Sequence, residues 1–186
     1  MTRPDRLRWW RRRLVPAALA ASLAAGCGYR FTPQGGELPE GVRTLYVPVF
    51  RNLTAEPGVE GYFTSAFRRE LARAGREGGE GSDAIAYGTV EEITEGSPIY
   101  ANSPAVPGEG PPPLPEPASM RVRAKASVRL ERGGKTIAQV AVVGNEDYRP
   151  GGEVPVLHDE ASRRMALRRL ADALMRQALE RLSSGF

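Results

Sequence analysis

The chain has a single cysteine, Cys27, and a single histidine, His158, in 186 residues. One thiol cannot form an internal disulfide, so the folded body must stand on its core. There is no nucleophile elbow, phosphate-binding loop, metal-spaced cluster or dinucleotide fingerprint, and His158 has no candidate triad around it. Enzymatic chemistry is therefore not expected, nor is a cofactor or a metal. The adjacent carboxylates Glu91-Glu92 and Glu146-Asp147 would point to opposite faces of a strand and could not share a substrate. Both tryptophans, Trp9 and Trp10, fall within the first ten residues. The uncharged run 14–25 holds 12 residues, well short of the roughly 20 that a membrane-spanning helix needs.

What precedes Cys27 has its own grammar. Six arginines stand against one acid, Asp5, then comes the apolar run, then Gly26. A charged region, an apolar region and a small-residue cleavage site in that order make residues 1–26 a signal peptide. Leu23-Ala24-Ala25-Gly26-Cys27 resembles a bacterial lipobox, which implies cleavage before Cys27 and acylation of its thiol. Acyl chains hold a protein to a membrane at about 0.8 kcal/mol per buried methylene. The formal charge of +4 owes its sign to this leader, because the chain from Cys27 onward carries 20 basic and 21 acidic residues. No nucleic-acid partner is implied.

The 160 residues after the leader suit one domain. Residues 27–41 are rich in glycine and read as a flexible tether, leaving 42–183 as the domain. VRTLYVPVF, residues 42–50, is β-branched and aromatic, with Pro48 placing it at a sheet edge. An amphipathic helix follows to Gly75, with Pro57 suited to its first turn. AIAYGTVEEI, residues 84–93, is a second strand. Eight prolines between residues 97 and 118 exclude helix or sheet over most of that inserted segment. Residues 120–131 alternate apolar and polar, Gly133-Gly134 makes a tight turn, and 135–144 returns as a hairpin partner. Residues 148–155 form a loop, and a helix from about His158 to Leu182 closes the chain. The order β-α-β-β-β-α gives an α+β fold, a two-layer sandwich of about four strands with both helices on one face.

The outward row of the third strand, Arg121, Arg123, Lys125 and Arg129, sets like charges about 6.6–7 Å apart. Two readings fit it: a solvated face beside acids on neighbouring strands, or an anion-binding face for which the arginine fork is suited. The arginines of the last helix read as a solvated face, and His158 as a polar residue at that helix's start.

Cys27-Gly28-Tyr29-Arg30-Phe31, Leu38-Pro39-Glu40-Gly41-Val42, the stretch Val47-Pro48-Val49-Phe50-Arg51-Asn52-Leu53-Thr54, Glu56-Pro57-Gly58-Val59-Glu60 and Tyr87-Gly88-Thr89-Val90 occur in an order that resembles the LptE family of lipopolysaccharide-assembly lipoproteins. The resemblance covers nearly all of the chain after the leader. It implies an outer-membrane lipoprotein on the periplasmic side, held by its acyl chains. Such a protein plugs and helps assemble the β-barrel translocon LptD and contacts lipopolysaccharide. On that basis Arg121, Arg123, Lys125, Arg129 and His158 are the lipopolysaccharide-binding candidates and Cys27 the lipid attachment. The Val47-to-Thr54 stretch also resembles the opening strand of curli-secretion and synthase-activator lipoproteins, which implies a regulator or secretion-channel subunit as the alternative.

Overall fold

The computed structural model describes residues 36–96, 99–100, 117–150 and 155–184, with side chains described for 36–96, 119–150 and 159–184. The leader, Cys27, most of the proline-rich segment and the side chain of His158 lie outside the described residues. The elements are β1 (Leu45–Tyr46), β2 (Arg51–Asn52), α1 (Val59–Arg73), β3 (Ala84–Glu95), β4 (Ile99–Tyr100), β5 (Pro117–Arg132), β6 (Lys135–Tyr148) and α2 (Pro155–Ser184). Both β1 and β2 run parallel to β3, and β5 runs antiparallel to β3 and to β6. The short β4 pairs with the start of β5. This is the α+β sheet with packed helices that the residue pattern predicts.

Burial follows the alternation. Val122, Ala124, Ala126, Val128 and Leu130 of β5 are buried, as are Ala84, Ala86 and Val90 of β3 and Val140 and Val142 of β6. They meet Phe63, Phe67 and Leu71 of α1 and Leu167, Leu170, Leu174 and Met175 of α2 in one core. The opposite face of the sheet carries the basic row of β5 beside a mixture of polar and apolar side chains from β3 and β6, and no helix among the described residues covers it.

Several boundaries differ from expectation, each for a physical reason. Of the strand predicted over 42–50, only Leu45 and Tyr46 pair with β3, and pairing resumes at Arg51 and Asn52, just past its end. Between Tyr46 and Arg51 lie five residue steps, facing four on β3 between Ile85 and Thr89. That surplus residue sits around Pro48, which has no N–H to give a ladder. Val47 C=O instead accepts from the Arg68 guanidinium, and Phe50 N–H donates to Thr64 Oγ1 at 2.9 Å. Strand β6 runs past Gly144 to Tyr148, because that glycine lies where α2 crosses closely: a Cβ there would sit 3.0 Å from Leu174 Cδ2. Strand β5 starts at Pro117 rather than Met120, a first-residue position that proline tolerates. Helix α2 starts at Pro155, consistent with the preference for proline in the first turn. Helix α1 starts at Val59, after Gly58 in the left-handed region (φ 81°), so Pro57 precedes it. The end of the expected tether is docked on the domain: Leu38 is buried in the core, and Arg76 donates to Gly36 C=O. Finally, a bulge at Glu91 sets both Glu91 and Glu92 opposite Lys125, so these neighbours do not simply divide between the two faces.

Candidate functional site

The outward row of β5 is held flat by neighbours on both sides. Arg121 pairs in register with Asp147, Arg123 with Asn145, Lys125 with Val143 and Arg129 with Gln139 on β6. Across β3, Arg123 is opposite Thr94, Lys125 opposite Glu92 and Arg129 opposite Tyr87. All four basic residues are exposed.

Three of the four are neutralised locally. Arg121 makes a bidentate pair with Asp147, Nε to Oδ1 at 2.6 Å and Nη2 to Oδ2 at 2.9 Å. The pairing pushes the guanidinium up and holds the Asp147 carboxyl below its usual range. Lys125 Nζ lies 2.8 Å from Glu91 Oε2, which raises the lysine and lowers the glutamate, Ser127 assisting the latter. Arg129 bonds Glu131 at 2.8 Å and lies over the Tyr87 ring, 5.7 Å from its centroid. Arg123 has only the neutral Thr94 and Asn145 beside it, and among the described residues it has no ion pair. The row therefore divides: the solvated-face reading describes Arg121, Lys125 and Arg129, while Arg123 has no acidic partner among the described residues. Water and salt screen exposed pairs of this kind, so they are open to exchange with a stronger anion.

Near one end of the row, a cavity of about 490 Å³ opens between β5, β6 and α2. Ser119, Asp147, Tyr148, Arg149, Ser162, Met165 and Arg169 line it. Arg169 is occupied by Glu146 at 2.6 Å, whereas Arg149, just past β6, is exposed and has no acidic partner among the described residues. His158, the other candidate at the start of α2, has its side chain outside the described residues. The hydroxyls of Ser119, Tyr148 and Ser162, Arg149 and the apolar Met165 around one opening, where Asp147 is already paired with Arg121, suit an anionic group attached to an apolar body.

The last helix hides one residue that does not belong to a solvated face. Arg163, 19 % exposed, donates Nη1 and Nη2 to the two Glu56 oxygens at 2.9 and 2.6 Å and Nε to Glu95. Tyr148 reaches Glu95 as well, and burial pushes its phenol up. Residue spacing carried no signal for this hub, whose acids lie 107 and 68 positions away. Of the other arginines of α2, Arg164 pairs with Glu160 and Arg169 with Glu146 at the surface, while Asp172 of the same helix pairs with Arg69 of α1. Arg181 reaches the sheet edge and donates to Ala141 C=O at 2.8 Å. No His/Cys/Asp/Glu group able to hold a metal occurs among the described residues, and no helix among them is long and apolar enough to cross a membrane.

Residues 42–182 match the family model described as LptE, lipopolysaccharide-assembly. No curated protein matches the chain. Similar solved structures include a Caulobacter crescentus protein at 14% identity and TM-score 0.49, covering 74% of this chain and 89% of that one. A minor lipoprotein from Acinetobacter baumannii has 14% identity and TM-score 0.47, covering 77% and 93%. The PelC dodecamer from Paraburkholderia phytofirmans has 18% identity and TM-score 0.44, covering 80% and 92%.

Proposed function

This chain belongs to the LptE family of lipopolysaccharide-assembly proteins, and from that premise we propose that it is a non-enzymatic outer-membrane lipoprotein, acylated at Cys27 and facing the periplasm. In this role it fills and helps assemble an LptD-type β-barrel and touches lipopolysaccharide as it passes. The family match over 42–182 is the observation that carries the reading. The lipobox resemblance at Cys27 and the 12-residue apolar run before it support an anchor of acyl chains rather than a spanning helix.

The mechanism is steric and electrostatic. A sheet backed by two helices supplies a stiff body, and its polar face offers charge-assisted hydrogen bonds to phosphate groups. Arg123 is the first contact, because it gives up no internal partner when an anion arrives. Arg121, Lys125 and Arg129 join only by releasing Asp147, Glu91 and Glu131. Arg149 is a further candidate, beside the cavity, and His158 is the candidate from the start of α2.

Purifying the tagged, acylated chain in mild detergent tests the partnership: a stoichiometric large barrel protein is expected to come with it. A homo-oligomeric ring without a barrel would transfer the chain to the secretion-channel alternative. For the headgroup contact, Arg123→Glu is expected to weaken lipopolysaccharide binding about tenfold or more, the size of one lost charge-assisted bond, with an unchanged far-UV spectrum. Equal binding by Arg123→Glu and the unsubstituted chain would remove Arg123 from the site. Arg123→Glu is a cleaner probe than reversing Arg121 or Lys125, where a new carboxylate would also face Asp147 or Glu91.

A further inference from the structure

Asp147 belongs to two places at once. It is the bidentate partner of Arg121 on the basic row, with Nε to Oδ1 at 2.6 Å and Nη2 to Oδ2 at 2.9 Å, and it lines the cavity of about 490 Å³ together with Arg149. Arg121 and Asp147 face each other in register. Arg149 stands two residues further along, so Arg121 and Arg149 are diagonal neighbours about 7–8 Å apart. Two extended arginine side chains at that separation can reach one phosphate group. Ser119, on the same face of β5 as Arg121, and Ser162 of α2 bring hydroxyls to the same opening. The cations in and beside it are Arg121, Arg149 and Arg169, and two of them are occupied, Arg121 by Asp147 and Arg169 by Glu146. Among these five charges the unmatched one is that of Arg149.

We propose that Asp147 is a specificity-determining residue of this opening: by holding Arg121 it selects an alkyl phosphate monoester, which bridges Arg149 and Arg121, over a phosphate diester, which Arg149 holds alone. The inference deepens the headgroup contact proposed above and rests on it for the source of the anion. A singly charged diester offers Arg121 no more than Asp147 already supplies, and the strand register keeps Asp147 beside it. A phosphate monoester carries about −1.5 to −2 at pH 7. It satisfies both guanidinium groups together, and the Asp147 side chain, 43% exposed, turns to water at little cost because exposed pairs are screened. Met165, 59% exposed beside the opening, gives the alkyl part an apolar surface.

Calorimetric titration of the full-length acylated chain in mild non-ionic detergent tests this with butyl phosphate, methyl butyl phosphate and inorganic phosphate. Arg123→Gln is carried in every sample, so that the row's arginine without an acidic partner adds no second site. Butyl phosphate is expected to bind about tenfold more tightly than methyl butyl phosphate, the size of one charge-assisted bond. Asp147→Asn frees Arg121 and is expected to tighten the diester about tenfold and the monoester by less, so that the preference narrows. Arg149→Gln is expected to weaken both esters. Equal affinity for the two esters while Asp147 is present overturns the inference, and so does a diester affinity that Asp147→Asn leaves unchanged. Inorganic phosphate bound as tightly as butyl phosphate overturns the alkyl part and leaves free phosphate as the ligand. Lipopolysaccharide titrated alongside separates this inference from the headgroup reading. Lipopolysaccharide bound without any preference between esters sinks the role of Asp147 alone, and a preference between esters without lipopolysaccharide binding sinks the headgroup contact alone.

Discussion

Replacing Gly88 by valine is expected to destabilise the domain by about 3 kcal/mol, read as a melting temperature lower by roughly 6–12 °C. Gly88 faces the helices, and a Cβ built there would overlap the ring of Phe50 at Cε2, Cζ and Cδ2. Phe50 has nowhere to go. It is 2% exposed, its ring meets Phe67 at 6.0 Å and 54°, and its N–H is fixed on Thr64. The chain must therefore widen the contact between the β1–β2 edge and β3 or force Phe50 off its rotamer, and either is costly in a close-packed core. Shortening Phe50 to leucine in the valine background should recover part of the loss, a coupling measurable as a double-mutant cycle. An unchanged melting temperature for Gly88→Val would show that the contact is not tight. Phe50 lies in Val47-Pro48-Val49-Phe50 and Gly88 in Tyr87-Gly88-Thr89-Val90, so two segments that look separate along the chain are the two halves of one steric fit.

Replacing Arg163 by methionine is expected to cost about 2 kcal/mol at neutral pH. Methionine keeps much of the stem packing and removes the charge. Stripping one partner from a buried ion cluster costs 3–5 kcal/mol in fully enclosed sites, but Glu95 is 42% exposed and water screens part of the loss. The pH dependence identifies the cause. The Arg163 guanidinium holds the Glu56 carboxyl below the ordinary 4.5 of a glutamate. A carboxyl lowered in the folded state contributes stability that is present above the unfolded value and lost as pH falls through the folded one. The unsubstituted chain should therefore lose stability on acidification below about pH 4.5. Without Arg163, Glu56 loses the main interaction that favours its ionised form, so the gap between the two proteins should narrow toward acid. Stability curves that stay parallel from pH 7 to well below pH 4.5 would show that packing, not the carboxylate, explains the loss.

The backbone plan was legible because it is written in local periods. Twelve residues of strict alternation from Met120 specify both the inner and outer faces of β5, and the last helix repeats leucine at three- and four-residue steps. The state of the basic row was not legible. The partners of Arg121 and Lys125 depend on which residue of another strand falls beside each, and Asp147 lies past Gly144, where that strand was expected to end. The bulge at Glu91 is similarly a product of fitting β3 against β5, with no mark in the residues themselves. Arg163 looked like any outward arginine of an amphipathic helix because its acids come from distant elements. Gly144 resembled a stop signal, and only the crossing of α2 explains its place inside a strand.

The two margins of the sheet share a property with a consequence for life among other β-proteins. Along one, Pro48 has no N–H to offer, Phe50 N–H is held by Thr64 and Val47 C=O by Arg68. Along the other, Arg181 holds the carbonyl of Ala141 midway down β6. Free backbone groups on an edge act as a template for foreign strands. A chain whose margins are blunted in this way can stand beside a barrel while that barrel is still closing its own seam, without being zipped into the wall. Under the proposed partnership, those few side-chain contacts separate a scaffold that guides strands from one that is swallowed by them.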